Sequence, residues 1–169
     1  MSGSPSPLGR YDDEGTDEPL HEVRLLNVPV QILVAGREHH DDLMREFAIL
    51  ALAADAASSR LPARLLELTE ILGVRYGRAA ERPSEEIETA LRDGQETVDL
   101  TYQVPGHIVE AAHTLDSLMK EADAFCESED LLTLKRPDVL TEFADWYLEE
   151  FRRQIEGEPP QPWTGPLHP

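Results

Sequence analysis

The sequence predicts an α+β fold, mostly α, built from two diverged strand–helix–helix units related by a pseudo-twofold, with four long helices and two short strands. Three observations predict it. A short strand-like segment ending in Val-Pro occurs twice, at Val28-Pro29 and at Val104-Pro105. Each is followed by two stretches whose apolar residues recur at helical spacing. The two halves also match residue for residue over most of their length, and an internal repeat decides a fold before any single element does.

The elements follow in order. Residues 1–20 are rich in Ser, Pro and Gly, then acidic at Asp12, Asp13, Glu14, Asp17 and Glu18. Such a segment buries too little apolar surface to offset its ordering entropy, so a disordered acidic tail is expected. Residues 21–157 are expected to form a single duplicated domain, with copy one at 22–80, a connecting helix at 83–94 and copy two at 97–157. In copy one, Glu22 to Val28 is a short strand, and a helix carries Leu43, Phe47, Leu50, Ala51 and Ala54. Pro62 opens a second helix with Leu65, Leu68, Leu72 and Tyr76, since the missing proline N–H is not needed in a first turn. Pro83-Ser84-Glu85-Glu86 has the form of a helix start, with Ser84 as cap and acids in the first turn; Gly94 ends that helix.

Copy two is the clearer half. Val98-Asp-Leu-Thr-Tyr-Gln-Val104 alternates apolar and polar residues, the mark of a half-buried strand, and Pro105-Gly106 ends it. Ile108, Ala111, Ala112, Leu115, Leu118, Met119, Ala122, Phe125 and Cys126 recur at helical spacing. After Pro137, Leu140, Phe143, Trp146, Tyr147, Phe151 and Ile155 form one broad apolar face, which Gly157 and Pro159 terminate. Residues 158–169 form a Pro/Trp tail that the prolines keep out of any helix. Two readings of Trp163 stand: the tail folds back and lays the ring on the domain, or it is a peptide-like motif for a partner's groove.

The halves align from Leu43 onward without a gap. Leu43-Met44-Arg45-Glu46 faces Leu118-Met119-Lys120-Glu121, Asp55 faces Asp130, and Pro62 faces Pro137. Leu65 faces Leu140, Glu67 faces Glu142, and Arg78 faces Arg153; Leu68, Ile71, Leu72 and Tyr76 become Phe143, Trp146, Tyr147 and Phe151. Val28-Pro29 faces Val104-Pro105 at an offset one residue larger, so a residue has been gained or lost in the first helix or its entry. The shared Glu67 and Glu142 suggest ion pairs with the shared Arg78 and Arg153. The copies pack within one chain or swap between the two chains of a homodimer.

Composition narrows the function classes. The chain has 169 residues with 34 Asp and Glu against 15 Lys and Arg, a formal charge of −19. That charge repels nucleic-acid phosphates and anionic membranes, so neither is an expected partner. No run approaches the roughly 18 apolar residues of a membrane span, and the N-terminus lacks the apolar core of a secretory signal; a cytoplasmic location is expected. The single cysteine, Cys126, falls on an apolar helix face and has no partner for a disulfide.

Catalytic motifs are missing: there is no Gly-x-Ser-x-Gly, no phosphate-binding glycine loop and no Cys-x-x-Cys. No catalytic residue and no cofactor is expected. The densest polar cluster is Arg37-Glu38-His39-His40-Asp41-Asp42. His39 and His40 are metal-ligand types, but neighbours on a helix point about 100° apart, so one ion would need help from His107 or His113. Those histidines, His39, His40 and His113 first, are the metal candidates, and a metal-dependent enzyme is the outlying function. Interfaces favour Trp, Tyr and Arg anchors, which makes Trp163, Tyr147 and Arg152 the candidates for contact with a protein partner.

One resemblance bears on function. The stretch from Phe125-Cys126 through Leu131-Leu132-Thr133-Leu134 and Trp146-Tyr147-Leu148-Glu149-Glu150-Phe151 to Gln154-Ile155-Glu156-Gly157-Glu158-Pro159-Pro160-Gln161-Pro162-Trp163 resembles small actinobacterial proteins of unassigned activity. So do Asn27-Val-Pro-Val and the segment Arg37 to Phe47. Such proteins are associated with anti-sigma-factor kinases, STAS-domain antagonists and PP2C-type phosphatases. The resemblance implies a regulatory protein that binds another protein, a sigma-factor regulator, in partner-switching stress signalling. It does not extend to the kinases: Asn27 is the only asparagine, and it lies in a strand without a Gly-rich lid. A small-molecule sensor with a pocket between the copies is the alternative.

Overall fold

A computed structural model describes residues 19–53, 60–128 and 135–169; the side chains of 50–53, 60–62, 68 and 72–78 fall outside the description. The order is β1 (Leu20–Pro29), α1 (Val30–Ala53), α2 (Arg60–Arg92), β2 (Thr97–Pro105), α3 (Ile108–Ser128) and α4 (Asp138–Ile155). The fold is α+β and mostly helical. No described helix is long and apolar enough to cross a membrane. Of the expected disordered tail at 1–20, residues 1–18 lie outside the description, while Leu20 already belongs to β1.

The two strands pair antiparallel and form the whole sheet among the described residues. Leu20 pairs with Pro105, Arg24 with Thr101 and Pro29 with Thr97, and the register shifts between Leu25 and Val28. That shift is a bulge, and Asn27 at its centre takes a left-handed φ of 58°, a conformation asparagine reaches more easily than other side-chain-bearing residues. The Asp99 carboxylate accepts the Asn27 backbone N–H at 2.8 Å, fixing the bulge to β2.

A two-stranded sheet leaves both outer edges unpaired, which invites pairing with other chains. Helix side chains block them here. Gln154 of α4 accepts the Arg24 N–H and donates to the Arg24 carbonyl, both at 2.8 Å. Glu86 of α2 accepts the Thr101 N–H at 3.2 Å.

The core lies in two clusters. Beside the sheet, Val23, Leu25, Val28, Leu100 and Val104 pack with Ile32, Ile87, Leu140, Phe143, Phe151 and Trp163. Further along the helices, Leu43 and Phe47 of α1, Leu65 of α2, and Leu118, Ala122 and Cys126 of α3 form the second cluster. Phe47 and Phe125 meet edge to face at 5.9 Å. Ile71 departs from its expected core position and is exposed.

The expected break between a copy-one helix and a connecting helix is absent. α2 runs without interruption from Arg60 to Arg92 through Pro83. An interior proline removes one hydrogen bond and costs about 3 kcal/mol in a free helix. Pro83, Ile87 and Ala90 are nevertheless all buried on one face of α2, which packs against β2. Burial of that face offsets the penalty, so Ser84 caps nothing. Gly94, with φ +65°, does end the helix: Gln95 N–H bonds the Ala90 carbonyl and Gly94 N–H the Leu91 carbonyl. α4 ends the same way, with Glu158 N–H on Arg153, Gly157 N–H on Gln154, and Gly157 at φ +94°. Both are Schellman motifs, in which the left-handed residue is normally glycine.

Candidate functional site

Of the anticipated functional residues, three aromatic or cationic side chains on α4 and the tail come first. The tail folds back. Trp163 is only 6% exposed, its ring edge-on to Phe143 and Trp146 at 5.4 Å each. Its indole N–H donates to the Pro166 carbonyl, its backbone N–H to the Leu26 carbonyl at the bulge, and its carbonyl accepts from the Asn27 side chain. Gly165 lies over the ring so closely that a Cβ there would sit 2.2 Å from Cζ2. Of the two readings of Trp163, the structure has the folded-back tail, with the ring as a core residue. Tyr147 packs partly buried against the same core: it stacks on Phe151 and its hydroxyl meets that of Tyr102 at 2.6 Å. Burial pushes both phenols up, so this is a neutral pair. Arg152 is a third exposed but committed, with its guanidinium forked onto Glu149 and reaching Glu156.

The tail is held by a buried carboxylate. Glu150 is 1% exposed. It pairs with Arg153 and accepts from the Gln154 side chain at 3.0 Å and from the Gln161 backbone N–H at 2.8 Å. Arg153 also bonds Glu158 and the Pro159 carbonyl. The anticipated Glu142–Arg153 pair does not form, since Glu142 is exposed and Arg153 turns to Glu150 instead. Arg78 lies among the side chains outside the description, so its anticipated pairing with the exposed Glu67 has no geometry.

The histidines do not converge. His39 and His40 are half-buried on α1, whereas His113 is exposed on α3 and lines a cleft against α4. Among the described residues no three His, Cys, Asp or Glu side chains are grouped to hold a metal ion. His39 instead faces the buried pair Asp123–Arg136, whose Oδ2 and Nε are 2.9 Å apart. Asp123 also accepts the Arg136 backbone N–H at 3.0 Å and so anchors the entry to α4. Burial lowers the His39 pKa below 6.5, with Asp123 opposing and Arg136 assisting; burial lowers His40 too, with Asp41 opposing.

This has a consequence for stability. The unfolded chain takes up these protons more readily than the folded one, so stability rises with pH in that range. It is complete above the ordinary histidine value of 6.5 and is lost as pH falls below it. The melting temperature should drop between about pH 7.5 and about pH 5.5. His39→Gln/His40→Gln should flatten that slope. An unchanged slope in a thermal-shift series would mean other groups carry it.

The cleft between α3 and α4 is the larger of two described hollows, about 440 Å³, lined by His113, Asp116, Asp145, Trp146, Leu148 and Glu149. Lys120 bridges its two sides, with its ammonium 2.8 Å from Asp116 Oδ2 and 3.1 Å from Asp145 Oδ1. Asp116 Oδ1 and Trp146 Nε1 are buried in this wall without hydrogen-bond partners. The lining offers three carboxylates, the His113 imidazole and an indole. Cys126 is buried elsewhere, and burial, with Asp123, pushes its thiol up, away from the reactive thiolate. The second hollow, about 340 Å³, lies between the start of α1, the turn after α2 and His168. Sequence reading named His113 here but missed Asp116 and Asp145. The Asp116-Lys120 spacing of four was the one available signal.

No protein-family model matches the chain, and neither curated proteins nor solved structures yield a match.

Proposed function

We propose that this chain is a non-catalytic regulatory protein that binds another protein. The observation that carries the reading is the open α3–α4 cleft, which pairs an indole with three carboxylates. Partner surfaces favour tryptophan anchors with a polar rim. A formal charge of −19 suits a basic partner and favours fast, salt-sensitive association. The resemblance to proteins found with anti-sigma-factor regulators makes a sigma-factor regulator in the cytoplasm the partner to test first. The anticipated sensor pocket between the copies gains no such support: the larger cleft lies wholly within the second half.

We also read the fold as an internal duplication with pseudo-twofold symmetry. Several features support it. The bulge at Leu26–Asn27 gives β1 one residue more than β2, which accounts for a register change inside the strand. With that residue set aside, Val23, Leu25 and Val28 fall on Leu100, Tyr102 and Val104. Arg24 and Thr101, cross-strand partners, then fall on each other at the centre of the ladder, and each has its outward N–H bound by a helix side chain. Leu43 and Leu118 are both buried, as are Phe47 and Ala122, and Leu65 and Leu140. α2 packs on β2 and α4 on β1. On this reading α2 is the longer helix because it continues where α4 stops.

The test is capture from the source cell with the full chain, followed by reconstitution from purified components. A stoichiometric complex that weakens with salt is expected. If no purified regulator forms one, the binder reading fails.

A further inference from the structure

We propose that Pro159 and Pro162 form an exposed ridge that docks into the aromatic-lined groove of a proline-recognising partner protein; this rests on the reading of the chain as a binder. Backbone geometry comes first. Pro159, Pro160 and Pro162 each hold φ near about −65°. The residues that precede them, Glu158, Pro159 and Gln161, are held extended by the ring that follows. From Glu158 to Thr164 the chain runs without a turn or bend. A straight run with those φ values is a polyproline II helix, and its threefold repeat puts residues i and i+3 on one side.

Burial follows the same repeat. Pro160 is half-buried and Trp163 is buried, so their shared side lies on the domain. Pro159 and Pro162 share another side, and both are exposed. The domain grips this strap by its polar groups and leaves those two rings free. Arg153 holds the Glu158 carboxylate and the Pro159 carbonyl, and Glu150 accepts the Gln161 N–H. With the strap anchored before and after the ridge, little ordering entropy is left to lose on binding. Grooves lined by aromatic rings take proline pairs of this i, i+3 spacing. The imide nitrogens carry no N–H, so seating them strands no donor. Charge narrows the partner further. Glu156 and Glu158 are half exposed at the head of the ridge, although paired with Arg152 and Arg153, and the whole chain carries −19. A groove with basic residues at its rim complements that field.

The test titrates the full ¹⁵N-labelled chain with three purified probes, an SH3 domain, a WW domain and an EVH1 domain. At least one should bind more tightly than about 1 mM and shift the backbone resonances of Gln161 and Thr164 while those of β2 stay still. Pro159→Ala and Pro162→Ala each take the Cγ and Cδ methylenes out of the groove and should weaken that probe about tenfold. Pro160→Ala relaxes the backbone in the same way but on the inner side, and should weaken it less than about twofold. Unchanged indole resonances of Trp146 and Trp163 in each variant show that the strap is still docked. Binding by none of the three probes, or equal losses for Pro160→Ala and Pro162→Ala, would overturn the assignment. A reconstituted regulator complex that keeps full affinity in Pro159→Ala/Pro162→Ala would also overturn it and leave the binder reading standing. A probe held through the two outer prolines would uphold it even if the regulator tested formed no complex.

Discussion

A chain that ends at Gly157 is expected to lose about 3–5 kcal/mol of stability, the range for removing a large buried aromatic side chain. Trp163 carries most of it. The ring fills the space between β1 and α4 and touches Phe143 and Trp146. Ending the chain at Gly157 also takes away the Trp163 backbone groups that serve the Asn27 side chain and the Leu26 carbonyl at a left-handed bulge. Trp163→Ala alone should therefore reproduce most of the loss in a urea melt. Were Trp163→Ala to cost less than about 1 kcal/mol, an ordinary surface value, the docked tail would not be the stable state. The practical result is that truncation cannot separate folding from binding, so partner contacts are better probed on the α3–α4 cleft.

Replacing Glu150 is expected to be nearly as damaging, for a different reason. Its carboxylate is buried and serves three donors at once, on Arg153, Gln154 and Gln161. Glu150→Ala takes an acceptor from all three and leaves Arg153 with Glu158 and Pro159, Gln154 with the Arg24 carbonyl, and the Gln161 N–H with none of these; removing one member of a buried charged pair costs about 3 kcal/mol. Glu150→Gln keeps an acceptor for the Gln161 N–H and should lose about half as much. If alanine and glutamine variants melt alike, the backbone bond to the tail is irrelevant and only the charge matters. The double variant Glu150→Ala/Trp163→Ala should lose less than the two single losses combined, because both act by releasing the same tail.

The local elements were legible in the sequence because their signals are local. The alternation in Val98–Val104 marked β2, the spacing of Leu140, Phe143 and Phe151 marked the inner face of α4, and Gly94 and Gly157 marked helix ends. These depend on the 2.0 and 3.6 residue periods and on which residue tolerates positive φ. The histidine cluster was not legible in the same way: adjacent metal-ligand types say nothing of what faces them across a helix interface. Glu150 gave no signal, because one glutamate among many acids is singled out only by what covers it.

Composition and periodicity were enough for the class of fold, the two strands and the acidic character. Tertiary contact decided the rest. Pro83 reads as a helix start in any local window, yet its ring lies in a buried stripe with Ile87 and Ala90, and that burial outweighs one lost hydrogen bond. Trp163 reads equally well as anchor or core until the bulge at Asn27 supplies the groove that holds it. The cleft depends on α3 and α4 coming together, since Asp116 and Asp145 share Lys120 only across that interface. Periodicity fixes what each segment is, whereas burial of one segment by another fixes which of its side chains remain free to act.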